Sequence, residues 1–489
     1  MIMSLAVFYS TFFAPQELSN DSPLPPMDRF KMFRTAAAWC LVWGKFTHPS
    51  IATIPPFILY VEAEFIISRA AQMNCYILSS VCLRLLLKMG LHRDPSKLAN
   101  ISAYEGEMRR RMWNMAVQLD LIVSFHMGLP SMLNGIDCDC ELPGNLIDED
   151  FGEDSVELPN PRPMTDYTEM TYPITKSRLM RVFGQIAREA HLLTPAPYSE
   201  VMRLDGLLKE AWRKLPQFLE VQPLEQCVTT PPMQIFQRFG LASLYNKSRC
   251  VLHRRFLLEP VPKKEHDYSR WQCIEGAVTI LEYQNTMCHA CQPGNMLSQH
   301  GWFVSSLAVH DFLMAAIIVY LAIGHAPFWD EGEHEWMDNF TPRLTKGRLL
   351  HLLQKSYTIW VGLVGEESEV KKTVGMLQTM LTKLGSPGNS PSKVGETGAP
   401  ASVQRSEATT SSYDSQFLTG LSISDVASTV PSSVTNHIQS LGFGEPGVGA
   451  GDSGLDREWI AVGEEMDWVS LFPSQIVSRL SDTDFVALL

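Results

Sequence analysis

The stretch that decides the fold is Ser102-Ala-Tyr-Glu-Gly-Glu-Met-Arg-Arg-Arg-Met-Trp113, which predicts the start of a long helix. Ser102 followed by Glu105 fits a capping box, in which each side chain bonds an amide that the first helical turn leaves unpaired. Acids that precede arginines by four residues stabilise a helix because their charges meet on one face. Two such pairs follow the cap: Glu105 with Arg109, and Glu107 with Arg111.

Residues after Trp113 keep helical spacing as far as Ser124, and Gly128 and Pro130 then end the helix. Upstream, apolar residues spaced alternately three and four apart predict one helix over Ala63–Met89. Gly90 ends it as a C′ glycine. A turn then leads into the capped helix, and so short a connection predicts antiparallel packing of the two.

Helical periodicity continues through most of the chain, and strand alternation appears nowhere at length. The sequence therefore predicts an all-α, irregular multi-helix domain followed by a disordered linker and an acidic tail. Residues 1–60 are a helical lead-in, 61–384 the main domain, 385–451 a Ser/Gly/Pro linker and 452–489 the tail. The other predicted helices cover Phe30–Trp43, Thr175–Leu192, Tyr198–Leu215, Met233–Leu258, Trp271–His289, Trp302–Ile323 and Arg348–Leu384.

Composition limits the classes of function. The net charge of −13 argues against a bare nucleic-acid-binding surface, since affinity for phosphates comes from clustered Lys and Arg. Ten cysteines in 489 residues are too sparse for a disulfide scaffold, so we expect free thiols in a reducing compartment, with Cys75 and Cys82 buried. The apolar start lacks the basic residues of a signal peptide, and Phe303–Ile323 contains a His-Asp pair that favours a buried core helix over a membrane span.

An ordered set of short motifs resembles the fungal-specific transcription factor domain, the middle regulatory region of fungal zinc binuclear-cluster regulators. The resemblance covers roughly residues 60–380. The sequence differs from the family motif at Arg255, where proline is usual. The residues that carry the resemblance are Gly90, Leu91, His92, Arg93, Glu107, Arg109, Arg110, Arg111, Trp113, Asp120, Gly128, Pro130, Pro143, His253, Arg254, His310 and Asp311.

The resemblance implies an all-helical regulatory domain, a nuclear location and control of transcription, with a small metabolite binding between helices as a further expectation. It also implies an N-terminal DNA-binding module in which six cysteines hold two zinc ions. No Cys-x-x-Cys followed by a basic run occurs near Met1, and the first cysteine is Cys40. We therefore expect no cofactor in this chain, and DNA contact only indirectly or through a missing module. Either the gene model is truncated or the protein acts without its own DNA reader.

The arginine triplet Arg109–Arg111 has two interpretations. It contacts phosphate or a partner, or it belongs to a helix start laced with Glu105 and Glu107, with an arginine pairing to Asp120 or a loop acid. The second is favoured because the acids are already in register.

Metal binding and catalysis have weak signals. Cys288-His-Ala-Cys291 with His300 nearby is one Cys-x-x-Cys, and Cys138-Asp-Cys140 adds two thiols, whereas structural zinc takes four ligands at set spacing. The histidines at positions 92, 253 and 310 adjoin charged residues without a serine elbow, a phosphate loop or a paired metal motif. We expect no metal site and no catalytic site, and an α-helical enzyme is the least favoured class.

The tail mixes eight acids and two arginines, a net charge of −6, with bulky apolar residues typical of an activation segment. Three of them have the i, i+3, i+4 spacing of a helix that binds in a groove. An equally weighted alternative is that the tail docks on the core. The sequence predicts a nuclear regulator that contacts coactivators through this tail and forms homo- or heterodimers; the alternative is a corepressor or dominant inhibitor that cannot bind DNA itself. The tail residues named are Trp459, Trp468, Leu471 and Phe472.

Overall fold

A computed structural model describes residues 1–67, 72–257, 259, 261–300, 309–324, 344–363 and 368–385. Within these ranges the fold contains thirteen α-helices and no strand, which confirms the all-α prediction. The predicted linker beyond Gly385 and the tail lie outside the described residues. The helices are α1 Ile2–Phe13, α2 Pro15–Asn20, α3 Pro26–Trp43, α4 Ile54–Ile67, α5 Gln72–Lys88, α6 Ala103–His126, α7 Thr171–Ala190, α8 Tyr198–Arg213, α9 Pro232–His253, α10 Asp267–Ala290, α11 Val309–Gly324, α12 Lys346–Gly362 and α13 Ser368–Lys383.

The long helix α6 joins the two larger hydrophobic cores. Met112, Trp113 and Val123 pack with α4 and α5, whereas Leu121 and Phe125 pack into the core formed by α7–α13. A smaller third core lies between α1, α2, α3 and the adjoining face of α4. Because its residues point into two cores, α6 fixes the position of each relative to the other.

Local signals set the ends of α5 and α6. Gly90 has φ +74° and Gly128 has φ +65°, the left-handed conformation of a C′ glycine. Ser102 Oγ accepts the amide of Glu105 at 3.1 Å, but the Glu105 carboxylate accepts from Arg109, so only half of the predicted capping box forms. Bonds at both ends of the pair, Arg109 Nη1 to Met89 O and Tyr76 Oη to Pro130 O, confirm the antiparallel packing.

Two predicted helices are wrong because each is a pair of helices. Ala63–Met89 contains the end of α4 and all of α5, and the two pack against each other. Phe65 and Cys82 lie in one hydrophobic core, whereas along a single helix they would be about 26 Å apart. Arg348–Leu384 likewise contains α12 and α13, which pack together. Apolar residues at helical spacing do not show where one helix ends and the next begins, because both helices of each pair bury an apolar face.

The most apolar helix, α11, is buried from Phe312 to Ile323 except at Tyr320 and Leu321, as expected for a core helix. In the described ranges, every helix is too short or too polar to cross a membrane. All ten cysteines are free thiols, and burial raises the pKa of both Cys75 and Cys82 to about 12. These thiols therefore belong to the core, as the sequence predicted.

Candidate functional site

The loop between α5 and α6 is fastened to α6 by one buried carboxylate. Asp94 is 1% exposed and accepts two hydrogen bonds from the guanidinium of Arg110, at 2.7 and 2.9 Å. It also accepts from the Ser96 amide and hydroxyl and from the Glu141 amide. With five donors on its two oxygens, the carboxylate is fully paired despite its burial.

A second acid, Asp139, connects the loop after α6 to the loop between α5 and α6. Its carboxylate accepts the Asp94 amide at 2.8 Å and bonds to Arg93 and Lys97. The backbone amides of Asp139 and Cys140 both donate to the carbonyl of His92. The loop after α6 is therefore bonded to the loop before it through side chains and backbone alike.

The first turns of α6 hold the next part of that loop. Glu107 is 1% exposed, pairs with Arg111 at 3.1 Å, and accepts the Gly144 amide that follows Pro143. Arg111 reaches on to Asp148 at 2.6 Å. We call the whole joint, residues 90–97, 105–113 and 138–148, the α6 clamp.

The clamp decides between the two interpretations of the arginine triplet. All three arginines pair with acids of this chain: Arg109 with Glu105, Arg110 with Asp94, and Arg111 with Glu107 and Asp148. The predicted in-register pairs and the pairing to a loop acid are confirmed. The suggested partner Asp120 is wrong: its carboxylate instead accepts from Ser131 and the Met132 amide, capping the turn after α6.

Two acids of the clamp, Asp94 and Asp139, are stabilised in their ionised forms. Burial works to raise the pKa of Asp94, but the bonds from Arg110, Ser96 and the Glu141 amide outweigh it and hold the pKa far below the usual value. The Asp94 amide, followed by Lys97 and Arg93, lowers the pKa of Asp139 to about 2. Both of these acids therefore form ion pairs in the clamp, whereas burial raises the pKa of Glu107 above its usual value.

The candidate zinc ligands are not assembled. Cys288 and Cys291 lie half-buried at the end of α10, and Cys138 accepts a bond from Trp113 Nε1 at 3.0 Å. Among the residues that the structure describes, no three His, Cys, Asp or Glu side chains are grouped so as to hold a metal ion. The side chains that the structure describes therefore do not fit a binuclear zinc cluster.

A buried cluster at α8, α9 and α10 imitates a catalytic triad. His253 Nδ1 lies 3.0 Å from Ser269 Oγ, and His253 Nε2 lies 3.5 Å from Asp205 Oδ1. His253 and Ser269 are each 0% exposed, so no substrate reaches the hydroxyl. Tyr268 donates to Asp205 at 2.7 Å, and Ser269 donates to Tyr198. These bonds satisfy polar groups between helices, which is a structural role.

The second arrangement of interest lies at the opposite end of α6, where a cavity of about 230 Å³ opens between α4, α6, α7, α9, α10 and α11. Lys247 Nζ pairs with Asp311 Oδ1 at 2.6 Å, and their side chains are 5% and 13% exposed. Lys247 Nζ also lies 4.1 Å from the centre of the Phe125 ring and 3.5 Å from His126 Nε2. Burial first, and then Lys247 and His310, lower the pKa of His126 well below its usual value, so the ring is neutral.

The structure separates the signature residues into four places. Those of residues 90–113 and Pro143 form the clamp, and Asp120, Gly128 and Pro130 shape the end of α6. His253 and Arg254 lie buried at the end of α9, where burial lowers the pKa of Arg254 to about 10. His310 stacks on His126 with ring centres 4.8 Å apart, and Asp311 lines the cavity. The four named tail residues lie outside the described ranges.

Three important residues, Asp94, Lys247 and His126, were not chosen from the sequence, whereas Asp311 was already among the signature residues. Asp94 was visible as Asp-Pro-Ser, in which an acid caps the amide two residues on. Lys247 and Asp311 each interrupt an otherwise apolar or neutral helical stretch, and two such charges of opposite sign suggest a buried pair. His126 gave no signal, because a histidine in a last helical turn is ordinary.

A family profile described as the fungal specific transcription factor domain matches residues 1–216 of this all-helical chain, a range that includes the whole clamp. Similarity extends further, since alignments to full-length relatives span more residues than the family profile. No solved structure is detectably similar to the chain.

Among its relatives, the chain is 32% identical over 383 residues to the Zn(2)-C6 fungal-type transcription factor mpsB of Macrophomina phaseolina, covering 78% of this chain and 52% of mpsB. It is 32% identical to pigI of Monascus ruber, a protein of the same description, over 74% of this chain and 45% of pigI. It is also 32% identical to the equisetin cluster transcription factor eqxF of Fusarium heterosporum, over 80% of this chain and 54% of eqxF. The chain thus spans about half the length of these relatives.

Proposed function

We propose that this chain is the regulatory and effector part of a fungal transcription regulator that acts in the nucleus. The single observation that carries the proposal is the family match over residues 1–216, which contains the whole clamp. The relatives that align over most of this chain bear the names of transcription factors. The clamp holds the loop of residues 138–148 against α6. A regulatory domain needs such fixed loops if it is to present a constant surface to a partner.

We further propose a division of labour along the chain. Residues 1–60 lead into the helical domain of residues 61–384, residues 385–451 link it, and residues 452–489 contact coactivators or the transcription machinery. DNA binding then depends on a zinc-cluster module outside these 489 residues, and this chain itself needs no cofactor. Catalysis is not part of the proposal, because the one Ser-His-Asp arrangement described above is sealed in the core.

Fusing residues 452–489 to an unrelated DNA-binding domain tests the effector role. We expect reporter activation that falls at least fivefold when Trp468, Leu471 and Phe472 are changed to alanine together. The matched control changes Ile476, Val477 and Leu480, three apolar residues of the same tail, and should retain most activity. If the fusion does not activate the reporter, the proposal that the tail is an activator is wrong.

A second measurement separates the activator from an interaction protein that lacks a DNA reader. In a gel shift, the 489-residue chain alone should give no sequence-specific complex. If co-expression with a relative that carries a zinc cluster lowers that relative's reporter output and the tail fusion is silent, the chain is a dominant inhibitor. Co-purification of the two chains would then establish the heterodimer.

A further inference from the structure

The connection between α7 and α8 contains an exposed threonine that is followed by proline. Leu193 is 103% exposed, and Thr194 and Pro195 are exposed beside it. Neither the backbone nor the hydroxyl of Thr194 makes a hydrogen bond to the described residues. A residue before proline favours an extended backbone, and prolines follow both Thr194 and Ala196. The Thr194 hydroxyl is therefore accessible on a segment whose sequence favours an extended chain.

Two other Ser-Pro or Thr-Pro pairs lie in the described ranges, and both are bonded more tightly. Ser22 is half-buried, and its Oγ accepts the Leu24 amide at 3.2 Å. Thr230 is half-buried in the turn before α9, where its amide donates to the Cys227 carbonyl at 2.9 Å. An enzyme that modifies such a hydroxyl must take a short segment of chain into its active site. Thr194 meets that requirement without local opening.

A cation without a carboxylate partner lies beside this segment. Arg255 Nη2 donates to the Ala196 carbonyl at 2.6 Å, and the guanidinium carbon lies 4.6 Å from the centre of the Phe256 ring. Arg255 makes no ion pair with any described residue. Burial lowers its pKa, and Glu189 and Glu259 oppose that effect only from beyond ion-pair distance. Arg255 is also the position at which the sequence differs from the family motif, so the cation is a feature of this chain.

We propose that Thr194 is phosphorylated by a protein kinase that recognises Ser/Thr-Pro and that Arg255 binds the phosphate. In this step the Thr194 hydroxyl oxygen attacks the γ-phosphorus of magnesium-bound ATP, and a new P–O bond forms. The bond between that phosphorus and the β-phosphate oxygen breaks, ADP leaves, and a base of the kinase accepts the hydroxyl proton. A role of the phosphate in transcription rests on the proposed function, whereas the modification itself does not.

A phosphate on Thr194 lies within reach of Arg255. Thr194 and Ala196 are two residues apart, so their Cα atoms are at most about 7 Å from each other. The guanidinium already bonds the Ala196 carbonyl. A phosphate carries a charge of about −1.5 to −2 near pH 7, and a guanidinium binds it through two parallel hydrogen bonds. Because Arg255 lies in the turn that follows α9, the ion pair fastens the α7–α8 connection to the end of α9.

The first measurement locates the phosphate. The full chain is incubated with a proline-directed Ser/Thr kinase, magnesium and ATP, and phosphopeptides are followed by mass spectrometry. Thr194 should be modified at least about fivefold faster than Ser22 or Thr230, since each of those must first break a hydrogen bond. Thr194→Ala should remove this phosphopeptide, and Thr230→Ala is the matched control that keeps it. No phosphate on Thr194, or faster modification of Ser22 or Thr230, would overturn the proposal.

The second measurement tests the contact with Arg255. A guanidinium beside the phosphate lowers the second pKa of the phosphate, so the ³¹P resonance that Thr194→Ala lacks should titrate at lower pH in the folded chain than in urea. Arg255→Gln should still be phosphorylated, but its resonance should titrate as it does in urea. Arg213→Gln, at an exposed position at the other end of α8, is the matched control and should keep the lowered value. Equal titration of the wild type and Arg255→Gln would show that Arg255 does not bind the phosphate.

Discussion

A buried ion pair lies at each end of α6, and the two pairs have different surroundings. At the N-terminal end Asp94 and Arg110 are enclosed in the clamp, and Asp94 is satisfied by five donors. At the C-terminal end Lys247 and Asp311 border a cavity, and His126 Nδ1 beside them is buried with no hydrogen-bond partner among the described residues. The comparison shows that one end is a completed structural joint, whereas at the other end the ion pair borders a cavity.

The largest expected effect comes from breaking the clamp. Arg110→Met keeps much of the side chain's length but leaves Asp94 buried without its cation, which should lower the free energy of unfolding by about 3–5 kcal/mol. Urea denaturation measures this loss. Arg203→Met, at an exposed pair with Glu200, should leave the urea midpoint unchanged. Equal midpoints for the wild type and Arg110→Met would show that the clamp is not a stabilising joint.

Paired replacements sharpen the contrast between the two ends. Lys247→Met alone should cost about 2 kcal/mol, less than Arg110→Met because water in the cavity can solvate Asp311. Adding Asp311→Leu should restore most of that loss, since an ion pair replaced by apolar residues is often neutral. Adding Asp94→Leu to Arg110→Met should not restore stability, because the Ser96 and Glu141 amides lose their acceptor. If both double variants recovered the stability lost by their single variants, the two ion pairs would not differ in the way described.

Acid should weaken the two ends in different pH ranges. The folded pKa of Asp94 lies below its ordinary 3.8, so its contribution is present above that value and is lost as the pH falls through the folded pKa. The folded pKa of His126 lies below its ordinary 6.5, so the unfolded chain takes up a proton first and stability begins to fall below pH 6.5.

Urea midpoints measured from pH 7 to pH 3 separate these contributions. Compared with the wild type, His126→Phe should flatten the decline between pH 6.5 and 4. Asp94→Asn should be less stable at neutral pH, and its deficit should shrink only below about pH 4. A deficit of Asp94→Asn that shrinks between pH 6.5 and 4 would contradict the assignment of the acidic range to the clamp.

The smallest effect belongs to the start of α6. Ser102→Ala removes the acceptor for the Glu105 amide and should cost about 1 kcal/mol in urea denaturation. Glu105→Gln should leave the cap unaffected, because the Glu105 side chain bonds Arg109 instead of completing the capping box. A loss for Glu105→Gln that equals the loss for Ser102→Ala would mean that the reciprocal bond forms in solution.

The sequence predicted more of the clamp than of the cavity. The cap, the acid-first pairs and both C′ glycines are local features, set by residues within one or two helical turns of each other. The prediction that Asp120 pairs with an arginine of the triplet was wrong. Helical spacing does not show that the turn after α6 folds back, so that Ser131 and the Met132 amide donate to the Asp120 carboxylate. The cavity depends on residues from position 62 to position 312 and could not be read from any single stretch.

By itself, the sequence determined that this protein is all-α in its described part, where α6 begins and ends, and that Arg109 and Arg111 pair with Glu105 and Glu107. Periodicity, caps and charge spacing are short-range, so they need no knowledge of the rest of the chain. Only the tertiary structure decided that two long periodic stretches are helical hairpins and that Lys247 meets Asp311 across 64 residues of sequence. It also decided that His126 Nδ1 is buried without a hydrogen-bond partner in the described part of the chain, because satisfaction of a buried polar group depends on which distant elements pack around it.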